Sequence, residues 1–138
     1  MTGGFAITIY HNPDCGTSRN ALAMIESAGY APTVVEYRTV GWTRPLLTGL
    51  LAAMGAKPRD VLRDKGTPAA ALGLLDPGVS DDAIIEAMLA HPILVNRPIV
   101  VSPRGTRLCR PSEAVLDLLD RVPDDFVKGD GALVHKVR

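Results

Sequence analysis

The chain has 138 residues, of which 46% are hydrophobic and 22% charged, and its formal net charge at pH 7 is zero. These values indicate one globular domain with one core, and they exclude the broad basic field that non-specific nucleic-acid binding requires. No apolar run is long enough to cross a membrane and the first residues do not resemble a signal peptide, so we expect a cytoplasmic protein with no membrane contact.

The first informative stretch predicts a strand, a tight loop and a helix. Residues 7–10 are β-branched or aromatic, which indicates a strand. Residues 12–14, Asn-Pro-Asp, form a turn cluster. From about Ser18 apolar residues recur at helical spacing, and Gly29 stands where that helix should end. Cys15 therefore lies just before a helix N-terminus.

This position favours a reactive thiol at Cys15. The unpaired N–H groups and the dipole of a helix N-terminus stabilise an anion by up to about 2 kcal/mol, which corresponds to at most about one and a half pKa units. A reactive thiolate would need further help from a cation such as Arg19, His11 or a distant arginine. The alternative is a buried, inert cysteine. The polar residues around Cys15 argue against it.

The middle of the chain predicts a second strand and a helical region. Residues 33–38 indicate a strand parallel to the first, because a helix separates the two. A helix should begin at Gly41 or Thr43 and end at Gly55. Between 57 and 78, proline and glycine allow only short pieces, with helical turns predicted at 58–64 and 68–75. A further helix should open at Asp81-Asp82, with Ser80 or Asp81 as its N-cap, and end at Pro92.

The last third predicts a hairpin, a helix and a tail. Residues 99–102 and 106–109 should pair antiparallel around a turn at 103–105. Pro111 suits the first position of a final amphipathic helix. We expect residues 122–138 to form a loosely held C-terminal tail.

The order of elements predicts an α/β (α+β) fold of the thioredoxin-like type. It runs β-α-β, a helical insertion at about 43–90, then β-β-α, which gives a mixed four-stranded sheet flanked by helices in a single domain over residues 1–121. In such a fold the proline before the third strand is usually cis and faces the cysteine at the first helix. Pro98 stands at that position.

Three separated segments resemble one family. They are I-Y-H-N-P-D-C-G-T-S-R-N at 9–20, H-P-I-L-V-N-R-P-I-V-V at 91–101 and G-T-R-L-C-R-P-S-E at 105–113. Together they resemble the glutaredoxin-dependent arsenate reductases of the ArsC family, over residues 6 to about 119. Three long motifs in the same order are far more specific than one short motif.

The resemblance implies a mechanism. Cys15 would attack arsenate and form a covalent thiol–arsenic adduct, glutathione would form a mixed adduct, and glutaredoxin would supply reducing equivalents before arsenite leaves. Glutathione is then a co-substrate, and no bound cofactor is required. The cysteines and histidines lack the spacing of a metal site, so no metal is expected.

The resemblance also implies three substrate-binding arginines. They correspond to Arg97, Arg110 and Arg63, with Arg59 as a competing choice for the third. Planar guanidinium groups suit a phosphate-like dianion, because they can neutralise its oxygens and the attacking thiolate together.

The remaining matches are supporting residues. His11 could tune the thiolate, or it could be a histidine packed in the turn. Ser18 could hydrogen-bond the sulfur, act as a helix N-cap, or do both. Cys109 is predicted to be a core thiol and not a resolving partner.

Four other functions compete with this hypothesis. A phosphatase-like arsenate reductase needs C-x5-R, whereas only three residues separate Cys15 from Arg19. A dithiol enzyme, or a transcription regulator of the Spx type that binds RNA polymerase, would use C-x-x-C, which Ser18 interrupts. An ArsC-like thiol oxidoreductase with another substrate stays open, because a fold does not determine a substrate.

Overall fold

The computed structural model describes residues 5–121, 126–127 and 133–134. The chain divides into two compact units. The first comprises Met1–Glu36 and Arg97–Arg138, and the second comprises Tyr37–Asn96. The helical insertion predicted at about 43–90 lies inside the second unit. Within the described part of the chain, no helix has the length and apolar character needed to cross a bilayer.

A mixed four-stranded sheet forms the centre of the first unit. Its strands are β1 (Thr8–His11), β2 (Thr33–Glu36), β3 (Ile99–Ser102) and β4 (Gly105–Leu108), in the order β2-β1-β3-β4. β1 and β2 are parallel, and the other two pairs are antiparallel. The predicted mixed sheet, βαβ unit and hairpin are therefore confirmed.

The register of this sheet determines which loops lie close together. Tyr10 near the end of β1 pairs with Ile99 at the start of β3, and Ile99 pairs with Leu108 at the end of β4. The residues that follow β1, precede β3 and follow β4 therefore share one end of the sheet.

Helix α1 (Gly16–Ser27) begins directly after Cys15, two residues earlier than predicted. Its C-cap is Ala28, and the next residue, Gly29, has a φ of 95°, in the left-handed region that favours glycine. The N–H of Gly29 donates to the Glu26 carbonyl and that of Tyr30 to the Ile25 carbonyl. These two bonds form a Schellman motif, which satisfies carbonyl groups at the helix end.

The core of the first unit lies where α1 and the last helical segment pack on the sheet. Cys109 is fully buried in it, where the sequence predicted a core thiol. Its buried members are Ile7, Ile9, Ala21, Met24, Ile25, Ala28, Val100, Cys109, Val115, Leu116, Leu118 and Leu119.

The last helical segment differs from the prediction. Ser112–Leu118 is a 3₁₀ helix, and Pro111 is its N-cap instead of its first residue. Ser112, Val115 and Leu118 are all buried and recur every three residues, which is the period of a 3₁₀ helix. The predicted tail at 122–138 lies largely outside the described residues. Within it, the backbone of β5 (Phe126–Val127) pairs antiparallel with that of β6 (Leu133–Val134).

Helices dominate the second unit. β2 ends at Glu36, and the residues predicted to continue it form a short helix instead, because Tyr37 turns inward, is fully buried and stacks on Trp42. The predicted helical turn at 68–75 is a series of turns without a regular helix. The helices are α2 (Tyr37–Val40), α3 (Arg44–Met54) and α4 (Asp81–Ala90), with 3₁₀ helices at Pro58–Val61 and Pro92–Leu94.

The two longer helices of the second unit begin where the sequence predicted, and the predicted N-cap Ser80 is confirmed. The Thr43 side chain accepts a hydrogen bond from the Leu46 N–H at the start of α3, and the Ser80 side chain accepts one from the Ala83 N–H at the start of α4. Gly55 ends α3 with a φ of 65°. Local side-chain chemistry therefore determines where these helices begin and end.

Candidate active site

The loop between β1 and α1 holds Cys15 in place. The Cys15 N–H donates to the Asn12 carbonyl (3.0 Å), and the Asp14 N–H donates to Asn12 Oδ1 (2.9 Å). Cys15 is extended, with φ −101° and ψ 122°, and serves as the N-cap of α1. The predicted turn therefore ends with the thiol at the start of the helix.

Two arginines reach the end of the sheet where Cys15 lies. Arg97 precedes β3 and Arg110 follows β4, so the strand register brings both to the loop after β1. Arg110 Nη1 lies 3.8 Å from Cys15 Sγ and donates to the Arg97 carbonyl (3.1 Å). The thiol is only 7% exposed. Both substrate arginines predicted for this part of the chain thus stand at the cysteine.

The surroundings of Cys15 lower its pKa. Burial raises the pKa, but the Ser18 N–H, the charge of Arg97, a hydrogen bond from Arg110 and the Thr17 N–H lower it, and together they outweigh burial. Sγ makes no full capping hydrogen bond to the first turn, so the two N–H groups act on it as nearby dipoles. The folded protein therefore stabilises the nucleophilic thiolate.

A cavity of about 580 Å³ opens in front of the thiol. Three of its lining residues are arginines and one is an aspartate, so its charge is positive. It therefore suits an anionic ligand. The lining residues are Asp14, Cys15, Gly16, Thr17, Arg19, Asn20, Arg97, Arg110, Pro111 and Ser112.

His11 and Ser18 form a buried pair beneath the loop. His11 Nδ1 and Ser18 Oγ are 2.6 Å apart, and the Asn12 N–H donates to the same hydroxyl oxygen (3.1 Å). Ser18 is the third residue of α1, so the N-cap alternative is wrong: Cys15 occupies that position. The Ser18 N–H acts on the sulfur, whereas its hydroxyl ties the loop to the end of β1.

The two candidates for the third arginine lie in the second unit. Arg59 donates to the carbonyl oxygens of Leu74 (3.2 Å), Asp76 (3.0 Å) and Val79 (3.1 Å). Arg63 donates from Nε to the Lys65 carbonyl, a local bond of 3.0 Å. Arg59 thus holds an irregular segment of the second unit in place, whereas the Arg63 bond is local.

The peptide bond between Arg97 and Pro98 is cis, as the thioredoxin-like fold implied. The Pro98 carbonyl accepts a hydrogen bond from the Cys109 N–H (2.8 Å), which continues the pairing of β3 and β4 toward the site. The Arg110–Pro111 bond is also cis, which the sequence did not indicate. Arg97 and Arg110, the two arginines at Cys15, are thus each followed by a cis proline.

Cys109 differs from Cys15 in the direction in which its surroundings shift the thiol pKa. It is fully buried, and burial raises the pKa of its thiol to about 12. In the range that the structure describes, no group of three or more acidic, histidine or cysteine side chains is arranged to hold a metal ion.

The sequence motifs predicted no role for several of the residues that line the cavity. Thr17, Arg19 and Asn20 lie within the first motif, and Ser112 lies within the third, so the motifs contained them without indicating what they do. Arg19 Nη1 donates to the Pro13 carbonyl (2.8 Å), which folds its side chain back along the loop.

Comparisons with known proteins point to one family. The ArsC family model matches residues 10–118. The chain is 60% identical over 129 residues to arsenate reductase ArsI2 of Synechocystis sp., which spans 93% of this chain and 92% of that protein. It is 53% identical, over 93% of this chain and 92% of the relative, to an arsenate reductase of Escherichia coli. An arsenate reductase structure from Vibrio cholerae superposes with a TM-score of 0.79 at 39% identity, covering 85% of this chain and 100% of that one.

Proposed function

Because this chain belongs to the ArsC family, we propose that it reduces arsenate to arsenite with Cys15 as the nucleophile. The observation that carries the proposal is the Cys15 thiol at a helix N-terminus, 3.8 Å from Arg110 Nη1 in a positively charged cavity. A thiolate and an oxyanion repel each other in water. Here Arg97 and Arg110 would neutralise both and orient the oxyanion for attack.

The first step forms the bond between sulfur and arsenic. The Cys15 thiolate attacks arsenic, and one arsenate oxygen takes up protons and leaves as water. Arsenic stays pentavalent, so no electrons have yet been transferred. The stabilised thiolate raises the fraction of nucleophile present at neutral pH.

Two external thiols would complete the reduction. Glutathione replaces a second oxygen of the adduct, which also leaves as water. A glutaredoxin thiolate then attacks the glutathione sulfur and forms a mixed disulfide, and the electron pair of the sulfur–arsenic bond stays on arsenic. Arsenic becomes trivalent, and water releases arsenite from Cys15. No second cysteine of this chain is required, which agrees with the burial of Cys109.

Four other residues support this chemistry in the proposal. Arg63 is the third substrate arginine. His11 and Ser18 hold the loop that carries Cys15, through their 2.6 Å hydrogen bond. Pro98 shapes the backbone between Arg97 and β3.

The test is arsenite formation by the purified protein with arsenate, glutathione, glutaredoxin and a reducing system, without added metal. We expect turnover that stops when either glutathione or glutaredoxin is omitted. Turnover that persists without glutaredoxin would contradict the proposed order of thiols. If arsenate gives no product while Cys15 still reacts with iodoacetamide, the reactive thiol lacks its assumed substrate and the proposal fails.

A further inference from the structure

The cavity at Cys15 is larger than arsenate requires. Each arsenate oxygen is about the size of a water molecule, whose share of liquid volume is about 30 Å³, so the oxyanion fills roughly 120 Å³. The cavity has about 580 Å³, and pockets of about 300–1,000 Å³ hold ligands of drug size. Space therefore remains for a second, larger molecule beside the oxyanion.

Arg19 provides a charge in that space. Arg97 and Arg110 act on the sulfur of Cys15, whereas Arg19 belongs to the second turn of α1. Its Nη1 donates to the Pro13 carbonyl (2.8 Å), and its Nη2 lies 3.8 Å from the position that a Cβ on Gly16 would occupy. The guanidinium is thus held against the loop at the cavity wall. It has five N–H donors, of which the Pro13 bond uses one.

We infer that Arg19 binds a carboxylate of glutathione and so positions the second thiol of the reaction. The inference rests on the proposed function, since it places the co-substrate in the cavity where Cys15 carries arsenic. Glutathione has a carboxylate near each end, and a guanidinium recognises a carboxylate through paired, charge-assisted hydrogen bonds. The arginines of the cavity then bind different molecules: Arg97 and Arg110 bind the oxyanion, and Arg19 binds the tripeptide.

Binding at Arg19 serves one chemical step. The glutathione sulfur attacks the arsenic of the Cys15 adduct and forms a second sulfur–arsenic bond. One oxygen of the adduct leaves as water with the thiol proton, and arsenic stays pentavalent. Holding the tripeptide by a carboxylate makes this attack effectively intramolecular, which raises its rate without any change in the Cys15 adduct.

The experiment compares glutathione with its diethyl ester, in which both carboxylates are blocked, in the wild-type protein and in Arg19→Gln. The readout is the ratio of kcat/KM for glutathione to kcat/KM for the ester. The intrinsic reactivity of the ester's thiol enters this ratio equally in both proteins, so it cancels when the wild-type ratio is divided by the Arg19→Gln ratio. We expect the wild-type ratio to exceed the Arg19→Gln ratio about tenfold or more. Arg19→Lys should retain part of the preference, since it keeps the charge but loses the planar fork.

Two controls separate this role from a structural one. Arg107→Gln removes an exposed arginine that pairs with Asp117, and it should keep the wild-type ratio. The rate at which iodoacetamide alkylates Cys15 reports whether the loop has moved, and Arg19→Gln should leave it unchanged.

Three results would overturn the inference. One is an Arg19→Gln variant that keeps the wild-type ratio, and another is a wild-type protein that turns over both thiols equally well. The third is an Arg19→Gln variant in which alkylation and both thiols are affected alike, because Arg19 then only supports the loop. If the wild-type protein gives no arsenite with either thiol, the proposed function itself has failed.

Discussion

At the scale of single residues, the structure assigns opposite properties to two identical side chains. Burial acts against ionisation at both cysteines. At Cys15 two arginines and two backbone N–H groups overcome it, whereas at Cys109 it raises the pKa to about 12. Reactivity is therefore a property of the position, and the sequence could indicate it only through the polar neighbours of Cys15.

The arginine beside the sulfur gives the first prediction. Arg110→Gln removes a charge and a hydrogen bond that stabilise the thiolate, so the pKa of Cys15 should rise. The pH profile of iodoacetamide alkylation should then shift to higher pH. Arg107→Gln is the matched control and should keep the wild-type profile. A profile that does not move in Arg110→Gln would show that the contact with Sγ has no effect on ionisation.

At the scale of elements, local patterns predicted most helices and strands well. Asn12, Pro13 and Asp14 indicate the turn before α1, α3 begins next to the predicted Thr43, and the predicted N-cap Ser80 accepts the expected hydrogen bond. The 3₁₀ helix after Pro111 was mistaken for an α-helix, because apolar residues at spacings of three and four fit both periods over so short a segment.

The assembly of the site could not be read from local patterns. Arg97 and Arg110 are distant from Cys15 in the sequence, and only the pairing of β1 with β3, and of β3 with β4, brings them to it. The family resemblance supplied these two residues in advance. It gave no role to Arg19, because a motif records which residues occur and not what each side chain contacts.

The glycine after α1 gives a prediction about stability, and a second glycine inside α3 serves as its control. Gly29 has a φ of 95°, and a Cβ there would lie 3.2 Å from Arg121 Nη1. Gly29→Ala should therefore lower the free energy of unfolding by about 1–2 kcal/mol. Gly49 lies exposed inside α3, with no atom within 4 Å of an added Cβ. Gly49→Ala should raise the same quantity by about 0.5–1 kcal/mol.

Urea unfolding followed by circular dichroism measures both glycine variants. Equal effects in the two proteins would contradict the role assigned to the left-handed backbone at Gly29.

The segment around Arg59 gives a prediction that decides the third arginine. Arg59→Gln removes three hydrogen bonds to carbonyl groups, so it should lower the free energy of unfolding by about 1–3 kcal/mol and leave the KM for arsenate unchanged. Arg63→Gln should raise that KM and lower the free energy of unfolding by less than Arg59→Gln does, because its hydrogen bond to the Lys65 carbonyl is a single local one. Denaturation and steady-state kinetics on the two variants test this. The opposite pattern would assign substrate binding to Arg59.

At the scale of the whole molecule, the first unit is built from two separate stretches of chain. Met1–Glu36 supplies Cys15, and Arg97–Arg138 supplies both arginines that act on it. Along the sequence these two stretches are separated by Tyr37–Asn96, which forms the second unit. The nucleophile and its two cations therefore come together only when both stretches of the first unit have folded.

The two cysteines predict opposite pH dependences of stability. Folding lowers the pKa of Cys15, so ionisation of this thiol stabilises the folded state. The stabilisation is fully present above the unfolded pKa of about 8.5 and is lost as pH falls through the folded pKa. Folding raises the pKa of Cys109 to about 12. The stability that the neutral thiol contributes is therefore present below about pH 8.5, the unfolded pKa, and is lost as pH rises toward 12.

Unfolding free energies from pH 6 to pH 10 test this sign difference. Relative to Cys15→Ser, the wild-type protein should gain stability as pH rises. Relative to Cys109→Ala, it should lose stability above about pH 8.5. If the difference in unfolding free energy between wild type and variant changes with pH in the same direction for both variants, the pKa assignments are wrong.

The most direct test of the central claim is the rate of arsenite formation by Cys15→Ser and Cys109→Ala under identical conditions with glutathione and glutaredoxin. Both variants should keep the circular dichroism spectrum of the wild-type protein. We predict no turnover by Cys15→Ser and most of the wild-type rate for Cys109→Ala, because only the thiol beside Arg97 and Arg110 can act as the nucleophile. Equal loss in the two variants would contradict a mechanism with one nucleophilic cysteine.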